Sequence, residues 1–502
     1  MKHIALLQAA AGLLLCALGY FLANRDAPIV HTVLATAGTC NMPTDVYEPR
    51  SGSAVGSVVL LHGLASNKKV MSFTAQEFAN QDLRVFVPDL PGHGKAPGPF
   101  SPARAETCAA ALVRDLSTRK AIIPERTLLG GHSMGGAIAA RVAANFTVAG
   151  VIAISPAPMH PASEVSPEVL LFPTPPRLAP HSLVLSAAWE PASIKQIAAD
   201  LVTQSAESSD KYAVIARTTH VSIIFAPATF QAIRSWSAQV LGTNSASPFP
   251  KSRPALGCLL GLIGLSLIVP PFLRETTLAK TGAALSDSQS APPLAQTLPL
   301  VFLFAAATIA LLQFFIPFRF VHIFQADYLA SFLFVVALAV LTLHRHALPA
   351  LKSFPTTGTA ASVAAAFLLV LLFAAWFELT FYEAWLTPAR WLRLPLLVLL
   401  FLPWHLAEEI LLGSPSAASR SRRFLRFFAI RTVLWLALLA GVLYLHSGQI
   451  LFVLLIVYFV LFSILQRLAI DVIRAQTRSA AAAAIFGAIL LAGFALAIFP
   501  IA

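Results

Sequence analysis

Gly131-His132-Ser133-Met134-Gly135 lies between an apolar run at 126–131 (RTLLGG) and a helix-like run at 134–146. The pentapeptide fits G-x-S-x-G, a strand that turns straight into a helix with serine at the corner. Such a turn forces the serine into a strained conformation, and only hydrogens at the flanking positions let the two elements pack closely. It lifts the hydroxyl out of the sheet and points the first amides of the helix at a reacting group. Ser133 is therefore the candidate nucleophile.

Around this turn, from about 27 to 242, short β-branched runs alternate with helical stretches, which reads as an α/β domain. Candidate strands are 57–62, 84–88, 126–131, 150–155, 182–187 and 213–218. Most are nearly continuous apolar runs, as expected of parallel strands covered by helices on both faces. The stretches at 101–119 and 134–146 have helical periodicity. A serine hydroxyl is a poor nucleophile at neutral pH and needs a base and an orienting acid. His220 follows the last candidate strand and Glu190 follows the one before it. Each therefore stands at a strand end, where side chains converge on a site.

The segment resembles the α/β-hydrolase fold proteins. The run GHSMGGAIAA with Asp89-Leu90-Pro91-Gly92-His93-Gly94 upstream is similar to the monoglyceride lipase and serine aminopeptidase-like branch. The resemblance covers about 215 of the 502 residues. It implies a mostly parallel, doubly wound sheet and the chain order nucleophile, acid, base, which Ser133, Glu190 and His220 follow. It also implies that His62-Gly63 shapes an oxyanion hole from the amides of Leu64 and Met134. The chain departs from the family in having Ala187 and Glu190 where Gly and then Asp are usual, so Asp200 and Asp210 stand as substitutes for the acid. Asp89 comes too early for that role and is expected to buttress its own turn. A cap over the site is implied within 156–180, with Val169, Leu170, Leu171 and Phe172 as an acyl-binding wall or a packed connector. So short a cap favours a small ester, thioester or acyl amide. Cys40 and Cys108 are the segment's two cysteines, and two cysteines carry no spacing pattern that decides between a disulfide and free thiols.

The rest of the chain is membrane-like. Of its residues 57% are apolar and 12% charged, which excludes a purely soluble protein and a disordered one. Residues 4–23 form an uncharged run between Lys2 and Arg25, read as a retained signal anchor because no clean cleavage site follows. Leu15 before Cys16 argues against lipidation. After a linker at 243–254, eight spans are expected at about 255–273, 296–317, 323–343, 361–382, 392–412, 428–446, 449–466 and 481–500. The expected domains are thus an anchor at 1–26, an α/β domain at 27–242, the linker, and an all-α polytopic domain at 255–502.

Most of the net charge of +12 belongs to the oilier half, with 17 basic and 8 acidic residues in 251–502, so it reads as a topology signal and not as a nucleic-acid surface. With the N-terminus inside, the inner segments carry thirteen Lys and Arg against five outside. Among them are Lys280, Lys352, Arg420, Arg422, Arg423, Arg426, Arg431, Arg467, Arg474 and Arg478 inside, and Arg319, Arg390 and Arg393 outside. This puts the α/β domain on the outer face, the periplasm of a bacterium.

Charged residues in the spans are functional suspects. Here they are Asp327, Glu378, Glu383, Glu408, Glu409 and Asp471, with His405 on the same helix face as Glu409. Glu408-Glu409 resembles the glutamate pair of CAAX-type intramembrane proteases, but Gly413 stands where that motif has arginine. An ordinary interfacial role is the expectation. No Gly-rich phosphate cradle occurs, and no cofactor is expected.

These features fit a membrane-anchored serine hydrolase acting on a lipid or small acyl ester. An acyltransferase on the same scaffold, or a multispan transporter carrying a silent α/β module, would share most of them.

Overall fold

The computed structural model describes residues 2–25, 30–49, 51–160, 172–175, 178–203, 210–243, 246, 248–276, 290–314, 320–347, 356–415, 419–445 and 449–502. The chain forms two compact units. One gathers Tyr20–Gly257, Glu378–Glu383 and Pro500–Ala502; the other gathers Met1–Gly19, Cys258–Phe377 and Ala384–Phe499.

In the first unit the strands are β1 (Val30–Ala37), β2 (Cys40–Tyr47), β3 (Gly56–Leu61), β4 (Leu83–Pro88), β5 (Thr127–His132), β6 (Gly150–Ile154), β7 (Met159–His160), β8 (Phe172–Pro173), β9 (Ser182–Ala187) and β10 (Lys211–Ile215). Eight of them form one sheet in the order β1-β2-β4-β3-β5-β6-β9-β10. The β1–β2 and β2–β4 pairs are antiparallel and the rest are parallel. Every residue of β3, β5, β6 and β9 is buried. Such strands have apolar side chains on both faces because helices cover both. Strand order reverses between β3 and β5, and the crevice beyond the carboxyl ends of strands at such a point is where ligands sit in open α/β sheets.

The helices of this unit are the end of α1 (Lys2–Asn24), then α2 (Ser72–Asn80), α3 (Pro102–Thr118), α4 (Met134–Ala143), α5 (Ala192–Thr203) and α6 (Pro227–Leu241). Pro102 opens α3, and the Ser101 side chain accepts from Arg104 N at 3.2 Å, a standard N-cap. Buried Arg234 of α6 ion-pairs with Glu77 of α2. Cys40 at the start of β2 and Cys108 in α3 form a disulfide across 68 residues.

The hairpin β1–β2 adds two strands to those that the sequence marks. Its outer strand is exposed at each of its first five positions, and β2 carries Asn41, Pro43 and Asp45. A solvated edge strand, and a neighbour that alternates polar and apolar residues and carries a proline, both lack the apolar run that marks a central strand. Most of the expected cap, including Val169, Leu170 and Leu171, lies outside the described residues. Phe172, in the two-stranded β7–β8 pair, is 1% exposed.

The second unit is helical. Beyond α1 it contains α7 (Pro254–Thr276), α8 (Leu294–Phe314), α9 (Ala326–Leu343), α10 (Thr356–Thr380), α11 (Pro388–Trp391), α12 (Leu394–Leu412), α13 (Arg420–Tyr444), α14 (Leu451–Leu454), α15 (Ile456–Thr477) and α16 (Ala480–Ile498). Among the described residues, nine helices are long and apolar enough to cross a membrane.

Two of these depart from the expected limits. Helix α13 starts eight residues early and α15 is displaced toward the C-terminus, so Arg423, Arg467 and Arg474 stand on helices and not in loops. All three are buried and face the acidic residues of α12 and α15. Arg467 pairs with Glu409 at 2.7 Å and Asp471 at 2.5 Å, and Arg431 pairs with Glu408 at 2.6 Å. Arg423 reaches Glu409 at 3.4 Å. Glu408, Glu409 and Asp471 are thus ion-pair partners buried within the helical unit. Hydropathy alone misses this because it scores an arginine as a break in a span even when a carboxylate on the next helix neutralises it. Lys280, Arg319 and Lys352 lie outside the described residues.

Candidate active site

Ser133 sits between β5 and α4 with φ 54° and ψ −119°, a conformation that side chains disfavour by roughly 1–3 kcal/mol. Three backbone hydrogen bonds hold it there. Ser133 N donates to Ile154 O at 3.0 Å, and Ser133 O accepts from Ala137 N at 3.1 Å and Ala157 N at 2.9 Å. The flanking glycines are required sterically. A methyl on Gly131 would strike the backbone of Gly135, and one on Gly135 would strike the Leu61 carbonyl.

The structure brings Ser133, His220 and Glu190 together. His220 Nε2 lies 2.9 Å from Ser133 Oγ, and His220 Nδ1 lies 2.6 Å from Glu190 Oε1. A carboxylate only accepts, so Nδ1 carries the proton and Nε2 is left to accept from the serine hydroxyl. Glu190 is 6% exposed, and its second oxygen accepts from Ala187 N at 2.9 Å. The longer glutamate side chain folds back on its own strand end and still reaches the imidazole. Asp200 instead accepts from Gln196 on the exposed face of α5, and Asp210 accepts from Ser182 N at 2.5 Å. Glu190 is the acid in contact with His220.

Beyond β3, the His62-Gly63-Leu64 loop passes against the serine. A Cβ built on Gly63 would lie 3.3 Å from Ser133 Cβ and 3.2 Å from His132 Nδ1. His62 Nδ1 donates to Gly63 O at 2.8 Å, and its Nε2 accepts from Leu90 N at 3.0 Å. The Gly63 carbonyl and the Leu64 amide share one peptide plane, so His62 orients the amide expected to stabilise an oxyanion. The ring does this as the neutral species: burial, with the Lys68 charge as a lesser cause, takes its pKa down to about 4. Met134 is the first residue of α4, where an amide has no intrahelical carbonyl to donate to and the helix dipole favours negative charge. Asp89 is fully buried, and its oxygens accept from Lys68 N at 2.9 Å and Lys95 N at 3.0 Å. It joins two loops, one more than the single turn expected of it.

One contact at the site goes unread in the sequence. The His132 ring lies 5.0 Å from the His220 ring, and its Nε2 is 2.7 Å from the His220 carbonyl oxygen. Burial first, then the His220 charge, lowers the His132 pKa to about 3, so this ring too is neutral. The only available signal is its place immediately before the nucleophile.

Among the described residues no group of three or more His, Cys, Asp and Glu side chains is disposed to hold a metal. A cavity of about 300 Å³ in this unit is lined by Asp45, Tyr47, Lys68, Lys69, Gln76 and Glu383 among others, and by none of Ser133, Glu190 or His220.

Residues 58–286 match the Alpha/beta hydrolase family. The sheet is accordingly that of an α/β-hydrolase fold, joined in one chain to a region of apolar helices. No curated protein matches the chain. Solved structures similar to it include an alpha-beta serine hydrolase homologue from Coxiella burnetii, 17% identical over 42% of this chain and 96% of that one, with a TM-score of 0.33. A thermophilic esterase from Thermogutta terrifontis is 19% identical over 42% of this chain and 99% of its own, with a TM-score of 0.32. The carboxylesterase EstE1 from a metagenomic library is 18% identical over 45% and 96%, with a TM-score of 0.36.

Proposed function

We propose that the protein is a membrane-anchored serine hydrolase that cleaves a lipid or small acyl ester through an acyl-enzyme. The observation that carries this reading is the continuous hydrogen-bonded chain from Ser133 Oγ through the His220 ring to Glu190. His220 takes the hydroxyl proton as Ser133 Oγ attacks the acyl carbonyl, and Glu190 stabilises the imidazolium that forms. The amides of Leu64 and Met134 receive the negative charge that develops on the carbonyl oxygen. His220 then gives its proton to the leaving alcohol, and water repeats the sequence to release the acid. The motif resemblance favours the monoglyceride lipase and serine aminopeptidase-like branch, with the α/β domain at 27–242 and the polytopic domain at 255–502.

The proposed orientation puts this domain on the periplasmic side of a bacterial inner membrane. The charge bias supports it, while the composition of the compact units fits the expected number of spans in either orientation. The expected spans leave 383–391 and the residues after 500 on the same side as the α/β domain, and Glu378–Glu383 and Pro500–Ala502 belong to that domain's unit.

A membrane-impermeant fluorophosphonate tests chemistry and side together. It should label the protein in sealed spheroplasts, and labelling should vanish in Ser133→Ala. Labelling only after detergent permeabilisation would overturn the orientation, whereas a folded protein left unlabelled by a permeant probe would overturn the serine hydrolase itself.

A further inference from the structure

Phe381, Tyr382 and Glu383 belong to the same compact unit as the sheet, although Tyr382 stands 317 residues beyond the loop it touches. Each of the three contacts a loop beside Ser133. The Tyr382 hydroxyl donates to the Ala65 carbonyl at 3.1 Å. The Glu383 carbonyl accepts from Asn67 Nδ2 at 3.3 Å, and its carboxylate pairs with Lys68. The Phe381 ring lies 5.9 Å from that of Phe225, which closes the 3₁₀ turn Ser222–Phe225 directly after His220.

The loop so held needs holding. Ala65 has φ +53°, a left-handed conformation that a residue with a Cβ disfavours, and it is the neighbour of Leu64. His62 anchors the peptide plane that carries the Leu64 amide at one end of this turn. Tyr382 anchors the Ala65 carbonyl two peptide planes further on. Asn67 and Lys68, both buried, complete the attachment. Lys68 is kept charged there: burial opposes the charge, but the carboxylates of Asp89, Glu383 and Asp45 together outweigh it and raise its pKa.

We propose that Phe381-Tyr382-Glu383 is a positioning strap that aligns the Leu64 amide and the His220 loop on Ser133. Its role rests on the serine hydrolase reading. The strap touches no reacting atom. It acts through Ala65, because an oxyanion donor displaced by even a fraction of an ångström loses transition-state stabilisation while leaving ground-state binding alone. The hydrolytic site would then be encoded partly by residues far outside the segment that carries its sequence motifs.

The test uses the full-length protein in detergent micelles or nanodiscs, with a p-nitrophenyl ester as substrate and a boronic acid as mimic of the tetrahedral oxyanion. Tyr382→Phe removes one hydroxyl and keeps the ring. Its kcat should fall about tenfold with KM changed less than about twofold, the loss expected for one positioning hydrogen bond. Boronate affinity should weaken by the same factor as kcat/KM, and the melting temperature should move by less than about 2 °C. An unchanged kcat, a boronate affinity that stays at the wild-type level, or a rate loss that merely follows a loss of Tm would each overturn the strap. If the wild-type protein neither turns over esters nor binds the boronate, the serine hydrolase reading falls and takes the strap's catalytic role with it. An active wild type with an indifferent Tyr382→Phe removes the strap alone.

Discussion

His132 holds His220 by its backbone. A carbonyl oxygen only accepts, so at 2.7 Å the His132 Nε2 must be the donor to the His220 carbonyl, leaving Nδ1 bare toward Gly63. The residue before the nucleophile thus fixes the loop that carries the base.

His132→Phe keeps the ring and deletes that donor. Its rate of acylation by a p-nitrophenyl ester should fall about tenfold, the value of one buried hydrogen bond, with the fold intact. Wild-type acylation in this variant would mean that the His220 loop needs no such anchor.

The choice of acid is open to a ranking experiment. Glu190→Gln preserves shape but removes the charge facing the imidazole, and should lower kcat by about 10²–10⁴. Asp200→Asn and Asp210→Asn, which bond to Gln196 and to the Ser182 amide, should keep nearly all of it. The reverse order would move the acid elsewhere.

Acid should destabilise this unit through its neutral histidines. His62 and His132 titrate near 4 and 3 when folded, against 6.5 when unfolded. Between those values the unfolded chain binds more protons, so stability is complete above pH 6.5 and declines as the pH falls toward the folded values. By pH 4.5 the loss should be on the order of 2 kcal/mol per histidine. The check is Tm from pH 7 to 4.5, with His62→Gln flattening the curve. A wild-type curve already flat in that range would refute the linkage.

The Cys40–Cys108 bond closes 68 residues, and its removal by Cys108→Ser should cost about 4 kcal/mol by the loop-entropy argument. Reductant should lower the wild-type Tm to that of Cys108→Ser and leave the variant's Tm alone. Equal melting of oxidised and reduced wild type would show that the bond contributes nothing.

What the sequence reveals follows from range. The strand-turn-helix around Ser133 is local chemistry, written in glycines whose hydrogens the turn demands, so it is legible at once. His220 and Glu190 are legible because parallel strands end at one edge, and each residue closely follows a strand whose apolar run marks it. The β1–β2 hairpin hides because a solvated edge needs no apolar run. The partners of Glu409 and Asp471 hide because an arginine on a neighbouring helix looks like a loop residue until the helices are packed. Tyr382 hides most completely, since nothing near residue 382 reports that its hydroxyl meets a carbonyl at residue 65.

The 317 residues between Ala65 and Tyr382 are also an interval of time. At 5–20 residues per second, a ribosome needs roughly 15–60 s to supply the tyrosine after the alanine has emerged. The further pairing of Ile501 N with Gly92 O, at 3.0 Å, comes later still. The loops beside Ser133 therefore wait, exposed, through the synthesis of several hydrophobic helices before their last contacts exist. Translation speed across α7 to α16 sets how long the nascent chain spends in that half-built condition, open to proteases and chaperones.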